Sequence, residues 1–248
     1  MDDNILIYKY IRLEYLLQWL RKKMFRLDLI RTWKDPFENF FLKQNFECDG
    51  KVVDMWNISE DIYGQSWTLM EESDAMWRIY SETPQRSCFR KKQSLMHSAI
   101  RVRTTPGKLM QIVKEKYIPS EQVIDIVQYK TDSELSDWLN GKDPIEERQL
   151  RKCYIESSFI KRVAFSHERE VRLIVEEPGK DYAVINNGVA YYSFIPDDVL
   201  EEYTLDPRLN LKDAVAIRKQ LEKVGVPSDR ICQSKLYSFS SSKIQIKK

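Results

Sequence analysis

The chain has 248 residues, 42% of them hydrophobic and 12% aromatic, which is enough apolar material for one large domain or two small ones. Its 40 basic and 38 acidic residues leave a formal charge of +2, so no global field points to nucleic acid or to an anionic membrane. Four widely spaced cysteines, Cys48, Cys88, Cys153 and Cys232, form no C-x-x-C pair, which excludes a disulfide scaffold and a zinc ribbon and fits a reducing cytoplasm.

Residues 5–10 alternate as a strand, and residues 13–23 carry Leu13, Leu16, Leu17 and Leu20 at the spacing of an amphipathic helix. Residues 25–30 alternate as a second short strand, after which Asp35-Pro36 marks a turn that presents Asp35 and Glu38. Residues 63–69 read as strand or loop, and 74–80 as a short helix with Met76, Trp77 and Tyr80 on one side. Residues 98–104 alternate Ile100 and Val102 against Arg101 and Arg103, which predicts a strand with a solvated basic face. A helix follows over 106–115, with Pro106 at its start where a missing N–H costs little.

Residues 122–129 are rich in β-branched side chains and predict a strand; 133–139 and 144–158 predict helices separated by Asn140-Gly141. These helices form an insertion over about residues 131–160. A strand over 168–175 comes next, then 181–185 and 189–194 as a hairpin around Asn186-Asn187-Gly188. Residues 210–224 are helical, and Ile231 and residues 236–239 supply last strands before a basic, frayed tail. The pattern is one mixed domain of strands and helices spanning 1–248, without repeat or linker.

Scarcity excludes further chemistry. With only His97 and His167, a histidine-rich metal site is ruled out, though an all-carboxylate magnesium site is not. The seven glycines form neither G-x-G-x-x-G nor a P-loop. The chain shows no basic-then-apolar leader and no stretch of eighteen apolar residues, so no membrane partner is expected.

The strand over 168–175 is the most informative. Alternation places Glu168, Glu170 and Arg172 on one face and Val171, Leu173 and Val175 on the other. A solvated, weakly paired face is the commoner meaning of such alternation; two carboxylates sharing a catalytic face is the sharper one. Trp77 and Tyr80 at helical spacing equally describe core side chains, Asp35 describes a turn or cap, and Lys9 and Arg12 ordinary surface cations.

Tyr8-Lys9-Tyr10, Asp35-Pro36-Phe37-Glu38, Ser66 with Met76-Trp77-x-x-Tyr80, Phe165-x-x-Glu168-x-Glu170-x-Arg172, and Asp206-Pro207-Arg208 with Ser234-x-Leu236-Tyr237 together resemble the bacterial domain-of-unknown-function 2971 family over nearly the whole chain. A shorter resemblance carries chemistry. Glu168-Arg169-Glu170-Val171-Arg172-Leu173-Ile174, with Gln65-Ser66-Trp67-Thr68 where an S-T-S motif falls and Tyr8-Lys9-Tyr10 where the first strand carries an Arg or His, is similar to the ADP-ribosyltransferases of the Arg/Ser/Glu type. The chain departs from that pattern in having Lys9 for the Arg, unless Arg12 serves, and Ser-Trp-Thr for S-T-S.

This resemblance implies an α+β fold of two small apposed sheets with flanking helices, and NAD as substrate. It implies Glu170 as the carboxylate that stabilises the oxocarbenium-like ribose, and Glu168 as the group that orients or deprotonates the acceptor. Lys9 or Arg12 would meet the pyrophosphate, with Tyr10 beside them. Tyr63, Trp67, Trp77 and Tyr80 would be available to stack on nicotinamide, and Ser66 would hold the catalytic strand by hydrogen bonding. The acceptor would be a macromolecule, protein, RNA or DNA. Bacterial families of this kind imply a toxin or anti-phage effector with an antitoxin or defence partner.

Two alternatives belong to other classes. A metal-dependent nuclease would use Asp125-Ile126-Val127-Gln128-Tyr129-Lys130. A non-catalytic nucleic-acid-binding module would use Arg86, Arg90, Lys91, Lys92, Arg101 and Arg103.

Overall fold

The computed structural model describes residues 1–33, 35, 37–81, 95–113 and 122–239. The fold is α+β. It opens with β1 (Ile7–Arg12), α1 (Leu13–Lys22), β2 (Met24–Leu29), a small hairpin of β3 (Phe46–Cys48) and β4 (Lys51–Val53), and β5 (Ile62–Thr68). Then come α2 (Asp74–Tyr80), β6 (Ala99–Thr104), α3 (Pro106–Val113), β7 (Gln122–Ile126), β8 (Gln128–Lys130), α4 (Asp132–Asn140), α5 (Glu147–Ser157) and β9 (Ile160–Arg162). The chain continues through β10 (Glu170–Glu176), β11 (Ala183–Asn186), β12 (Val189–Ser193), α6 (Pro196–Val199), β13 (Glu202–Leu205), α7 (Leu211–Lys223) and β14 (Ile231–Gln233). Its contacts form two units, one of residues 1–9, 18–71 and 103–201, the other of residues 10–17, 72–102 and 202–248.

In the first unit the sheet order is β11-β12-β2-β5-β1, with β10 on the other edge of β5 and β7 beyond it. β10 pairs along the whole of β5, from Glu170 opposite Thr68 to Glu176 opposite Ile62. The second edge of β5 is shared, by β2 at Tyr63 and Gly64 and by β1 at Thr68. One long strand thus joins what the sequence predicts as two small sheets. Gly64 is required at this crowded junction, because a Cβ there would lie 2.7 Å from the Ile174 side chain and 2.9 Å from that of Ile30.

Short-range signals act as the sequence predicts. Phe25, Leu27 and Leu29 of β2 are buried while Arg26 donates to Asp28 at 2.9 Å. Asn187 and Gly188 take φ of 49° and 72°, the two positive values that a tight hairpin between β11 and β12 demands. Thr131 and Glu134 cap α4 reciprocally. Helix α5 packs Leu150, Cys153 and Tyr154 into a core with Ile30, Phe41, Leu42, Ile62 and Ile174. Ile62 and Ile174 share the sheet face of Ser66 and Arg172, so α5 covers the face expected to be solvated.

In the second unit residues 10–12 of β1 and 99–102 of β6 precede β13 and β14 in the order β1-β6-β13-β14, the last two parallel. Ser73 caps α2, and Tyr10, Met76, Trp77 and Ala99 form a small core. Residues 236–239, expected as strand, instead make a turn at Leu236 and Tyr237: the Ser234 hydroxyl accepts the N–H of Leu236, and the Lys235 carbonyl accepts that of Ser238. The tail and the basic residues Arg86, Arg90, Lys91 and Lys92 lie outside the described residues. Among the described residues no helix is long and apolar enough to cross a membrane.

Candidate functional site

The site lies in the first unit, where β10 begins. Glu168 is not on that strand, as alternation predicts, but closes a 3-10 turn, Val163–Glu168. Arg169 then adopts φ 42° and ψ 52°, and the strand starts at Glu170. A left-handed residue between the two glutamates breaks the period of two, so they cannot share a face by alternation. Lys161 brings them together instead. Its ammonium donates to Glu168 Oε2 at 2.6 Å and to Glu170 Oε2 at 3.4 Å, 4.8 Å from the Phe165 ring centre.

Arg172 is fully buried, and each of its three nitrogens donates. Nε and Nη2 donate to the two carboxylate oxygens of Glu170 at 2.8 and 2.9 Å, a bidentate pair. Nη2 also donates to Glu38 Oε1 at 2.7 Å, and Nη1 to the Ser158 carbonyl at 2.6 Å, at the C-terminal end of α5 where a cation opposes the helix dipole. The guanidinium carbon lies 4.7 Å from the Trp33 ring centre. Glu38 reaches this cluster because its N–H is held by the Asp35 carbonyl at 3.0 Å and the Phe37 N–H by Asp35 Oδ1 at 2.9 Å, closing the turn that Asp35 starts.

Burial alone would push the Glu170 carboxyl up, but Arg172, Lys161 and a hydrogen bond from Ser66 outweigh it and hold the pKa below the ordinary value. Glu38 goes the other way: burial, aided by Glu170 and Asp35, raises its pKa against the pull of Arg172 and Lys161. Burial opposes the charge of Lys161 too, yet Glu170 and Glu168 raise its pKa. The backbone N–H of Glu170 donates to the Tyr129 hydroxyl at 2.8 Å. Glu170 is therefore an ionised, oriented carboxylate beside a second carboxylate that resists ionisation.

No family model matches the chain, and no curated protein matches it. Among solved structures, it is similar over 96% of its length to Thermus sp. 2.9 DarT in complex with NAD+, at 10% identity, 99% of that chain and a TM-score of 0.40. It is likewise similar to Thermus sp. 2.9 DarT in complex with ADP-ribosylated ssDNA, at 9% identity, 98% of that chain and a TM-score of 0.41. At these scores the reading of the site rests on its own residues.

Of the residues expected to hold a dinucleotide, Ser66 lies on the sheet face of Glu170, opposite Arg172, and its hydroxyl helps to lower the Glu170 pKa. Trp67 does not. It stands opposite Val171 on the other sheet face, almost fully buried, with Nε1 unpartnered among the described residues. The register of β1 puts Lys9 on that face as well, with its ammonium on the Ser66 carbonyl at 2.7 Å and 5.8 Å from the Trp67 ring. Burial lowers the Lys9 pKa to about 8, against the opposing pull of Asp28 and Glu170. Tyr63 pairs with Val175, five positions along the strand from Glu170 and roughly 17 Å away at strand spacing.

Tyr10, Arg12, Trp77 and Tyr80 belong to the second unit. There Tyr10 meets the edge of Trp77 at 4.8 Å and stacks on Tyr80 at 6.5 Å, and Arg12 faces Glu14 at 3.9 Å. Trp77 is a core residue that donates to Glu72, as the blander reading of its spacing holds.

The alternatives find less support. Arg101 is buried between Glu72 and Glu202, and Arg103 pairs with Glu201, so neither forms the expected solvated basic face. Among the described residues no three His, Cys, Asp or Glu side chains are grouped to hold a metal. Lys161, Tyr129, Trp33 and the helix end at Ser158 escaped the sequence reading, because nothing in their local spacing marks them. Glu38 was legible as a turn residue and as part of the Asp35-Pro36-Phe37-Glu38 motif, without a chemical role.

Proposed function

We propose that this chain is an NAD-dependent ADP-ribosyltransferase that modifies a macromolecule, with Glu170 as the carboxylate that faces the ribose. One observation carries the reading: the Glu170 carboxylate is buried and held ionised by a bidentate guanidinium. Breaking the nicotinamide–ribose bond builds positive charge on the sugar, and an anion fixed in advance stabilises that charge without reorganising. A general acid needs a proton retained near neutral pH, which Arg172 and Lys161 deny to Glu170. Glu168, its side chain 23% exposed, shares Lys161 with Glu170, which supports a role for it in orienting the acceptor.

The acceptor in this reading is protein, RNA or DNA. A role in bacterial defence or conflict, with an antitoxin or other restraining partner, follows from the resemblance in sequence, while the cysteine spacing supports a reducing cytoplasm and the element pattern a single domain spanning 1–248. The test is incubation of the purified chain with labelled NAD and, in turn, single-stranded DNA, RNA and cell-extract protein. We expect nicotinamide release and transfer of label to one acceptor class, with kcat about 10²–10³-fold lower in Glu170→Gln. Absence of release with every acceptor, or release unchanged in Glu170→Gln, overturns the reading.

A further inference from the structure

Three carboxylates of the site, those of Glu38, Glu168 and Glu170, share two cations, Lys161 and Arg172. The sharing is unequal. Glu170 takes two Arg172 bonds, the Ser66 hydroxyl and Lys161 at 3.4 Å; Glu168 takes Lys161 at 2.6 Å. Glu38 is left with one bond from Arg172 and with Lys161 at 3.8 Å, on a side chain only 10% exposed. Three residues earlier, Asp35 Oδ2 is buried and has no partner among the described residues. Two carboxylates of one turn are thus short of donors, and at Glu38 this is the arrangement of a site that takes up a proton.

From this geometry we infer that Glu38 is a catalytic residue, the base that receives the proton of the acceptor. The inference rests on the transferase reading and moves the proton-accepting role from Glu168, whose carboxylate is occupied by Lys161. In the step, a lone pair of the acceptor oxygen or nitrogen forms a bond to C1′ of the ribose while the C1′–nicotinamide bond breaks. The electrons of that bond stay on the ring nitrogen, nicotinamide leaves neutral, and the acceptor's proton passes to the Glu38 carboxylate and then to water. The guanidinium that orients Glu170 also holds Glu38, so the ribose-facing anion and the base are set at a fixed separation. A carboxylate made more basic by burial is matched to this task, as an ordinary one is not. The groups facing it are Arg172 and Glu170 of β10, Lys161 of β9, Glu168 of the 3-10 turn, Asp35 of its own turn and Tyr154 of α5.

The test is the pH dependence of kcat for nicotinamide release. The parent is expected to lose activity on acidification through a pKa above the ordinary carboxylate range. Glu38→Gln should lose that acid limb and fall about 10²–10⁴-fold in kcat, while Glu168→Gln keeps the limb. A limb that persists in Glu38→Gln, or that vanishes in Glu168→Gln, overturns the assignment, whereas a merely structural role for Glu38 leaves the limb where it is. Carboxyl-carbon NMR of the parent needs no variant: one glutamate titrating well above the rest is expected, and all glutamates titrating in the ordinary range overturns the inference. Failure of the transferase reading looks different, since the parent would then release no nicotinamide at all.

Discussion

Each unit buries an arginine in mid-strand between two glutamates, Arg172 between Glu170 and Glu38, and Arg101 between Glu72 and Glu202. Around Arg101 both Glu72 oxygens and Glu202 Oε1 are donated to. Glu72 takes Arg101 on one oxygen and both the Trp77 indole and the Ser234 hydroxyl on the other, and Thr204 bridges Arg101 to Glu202 at 2.8 Å on each side. Around Arg172 donors run short: Glu38 keeps a raised pKa and Asp35 an unpartnered oxygen. A network in which every acceptor is donated to fixes a fold; one left a donor short is primed to bind a proton or a substrate.

The largest expected effect tests the first network. Arg172→Met leaves Glu170 and Glu38 buried with Lys161 as the cation between them, and urea denaturation should show a loss of about 3–5 kcal/mol. A loss below about 1 kcal/mol would mean that the carboxylates relax to water and that the cluster is not the rigid site described. Arg101→Met should cost less, about 1–2 kcal/mol, because Glu72 and Glu202 keep 33% and 23% of their side-chain surface in water. Nicotinamide release by the folded fraction should be unchanged in Arg101→Met; a matching fall in kcat would erase the distinction between the two networks.

What was legible in the sequence follows the same division. Local periodicity and turn chemistry placed β2, α1, α4, α7 and the β11–β12 hairpin, since helical spacing, alternation and Asn-Gly act over a few residues. The nearness of Ser66 to Glu170, on strands that pair Ser66 with Arg172, was legible because a motif brought two distant segments together. The shared face of Glu168 and Glu170 was misread for want of one dihedral, the left-handed Arg169, which composition does not signal. Burial of Arg101 and Arg172 escaped because strand alternation reports which side chains share a face, not whether α5 or a partner carboxylate covers that face.

Lys9 offers a pH test of how closed the first unit is. Its pKa falls from 10.5 in the unfolded chain to about 8 in the fold, so between these values the unfolded chain holds a proton that the native state has released. Stability attributable to Lys9 should therefore rise with pH through that window, with a slope of at most about 1.4 kcal/mol per pH unit. Denaturation of Lys9→Met over the same range should lack this rise. An identical slope in both chains would place the Lys9 ammonium in water rather than on the Ser66 carbonyl.

Among the described residues, every non-glycine with positive φ lies in the first unit: Lys23, Asp49, Asp61, Arg169, Glu177 and Asn187. Arg169 is the one set between two site glutamates. Its N–H donates to the Ser166 carbonyl at 3.3 Å and its carbonyl accepts the N–H of Leu69 at 3.0 Å, so the chain is held in the left-handed region from both sides. The exposed side chain has no partner among the described residues, and nothing local offsets the Cβ clash. Arg169→Gly removes that clash at the expense of a more flexible unfolded chain, and a net gain of about 0.5–1 kcal/mol in urea denaturation is expected. Should the variant instead be less stable, the left-handed turn is not strained, and the break between Glu168 and Glu170 owes nothing to stored conformational energy. A stability gain accompanied by a loss of nicotinamide release would tie the strain to the working geometry of the site, a coupling for which the Arg101 network has no counterpart.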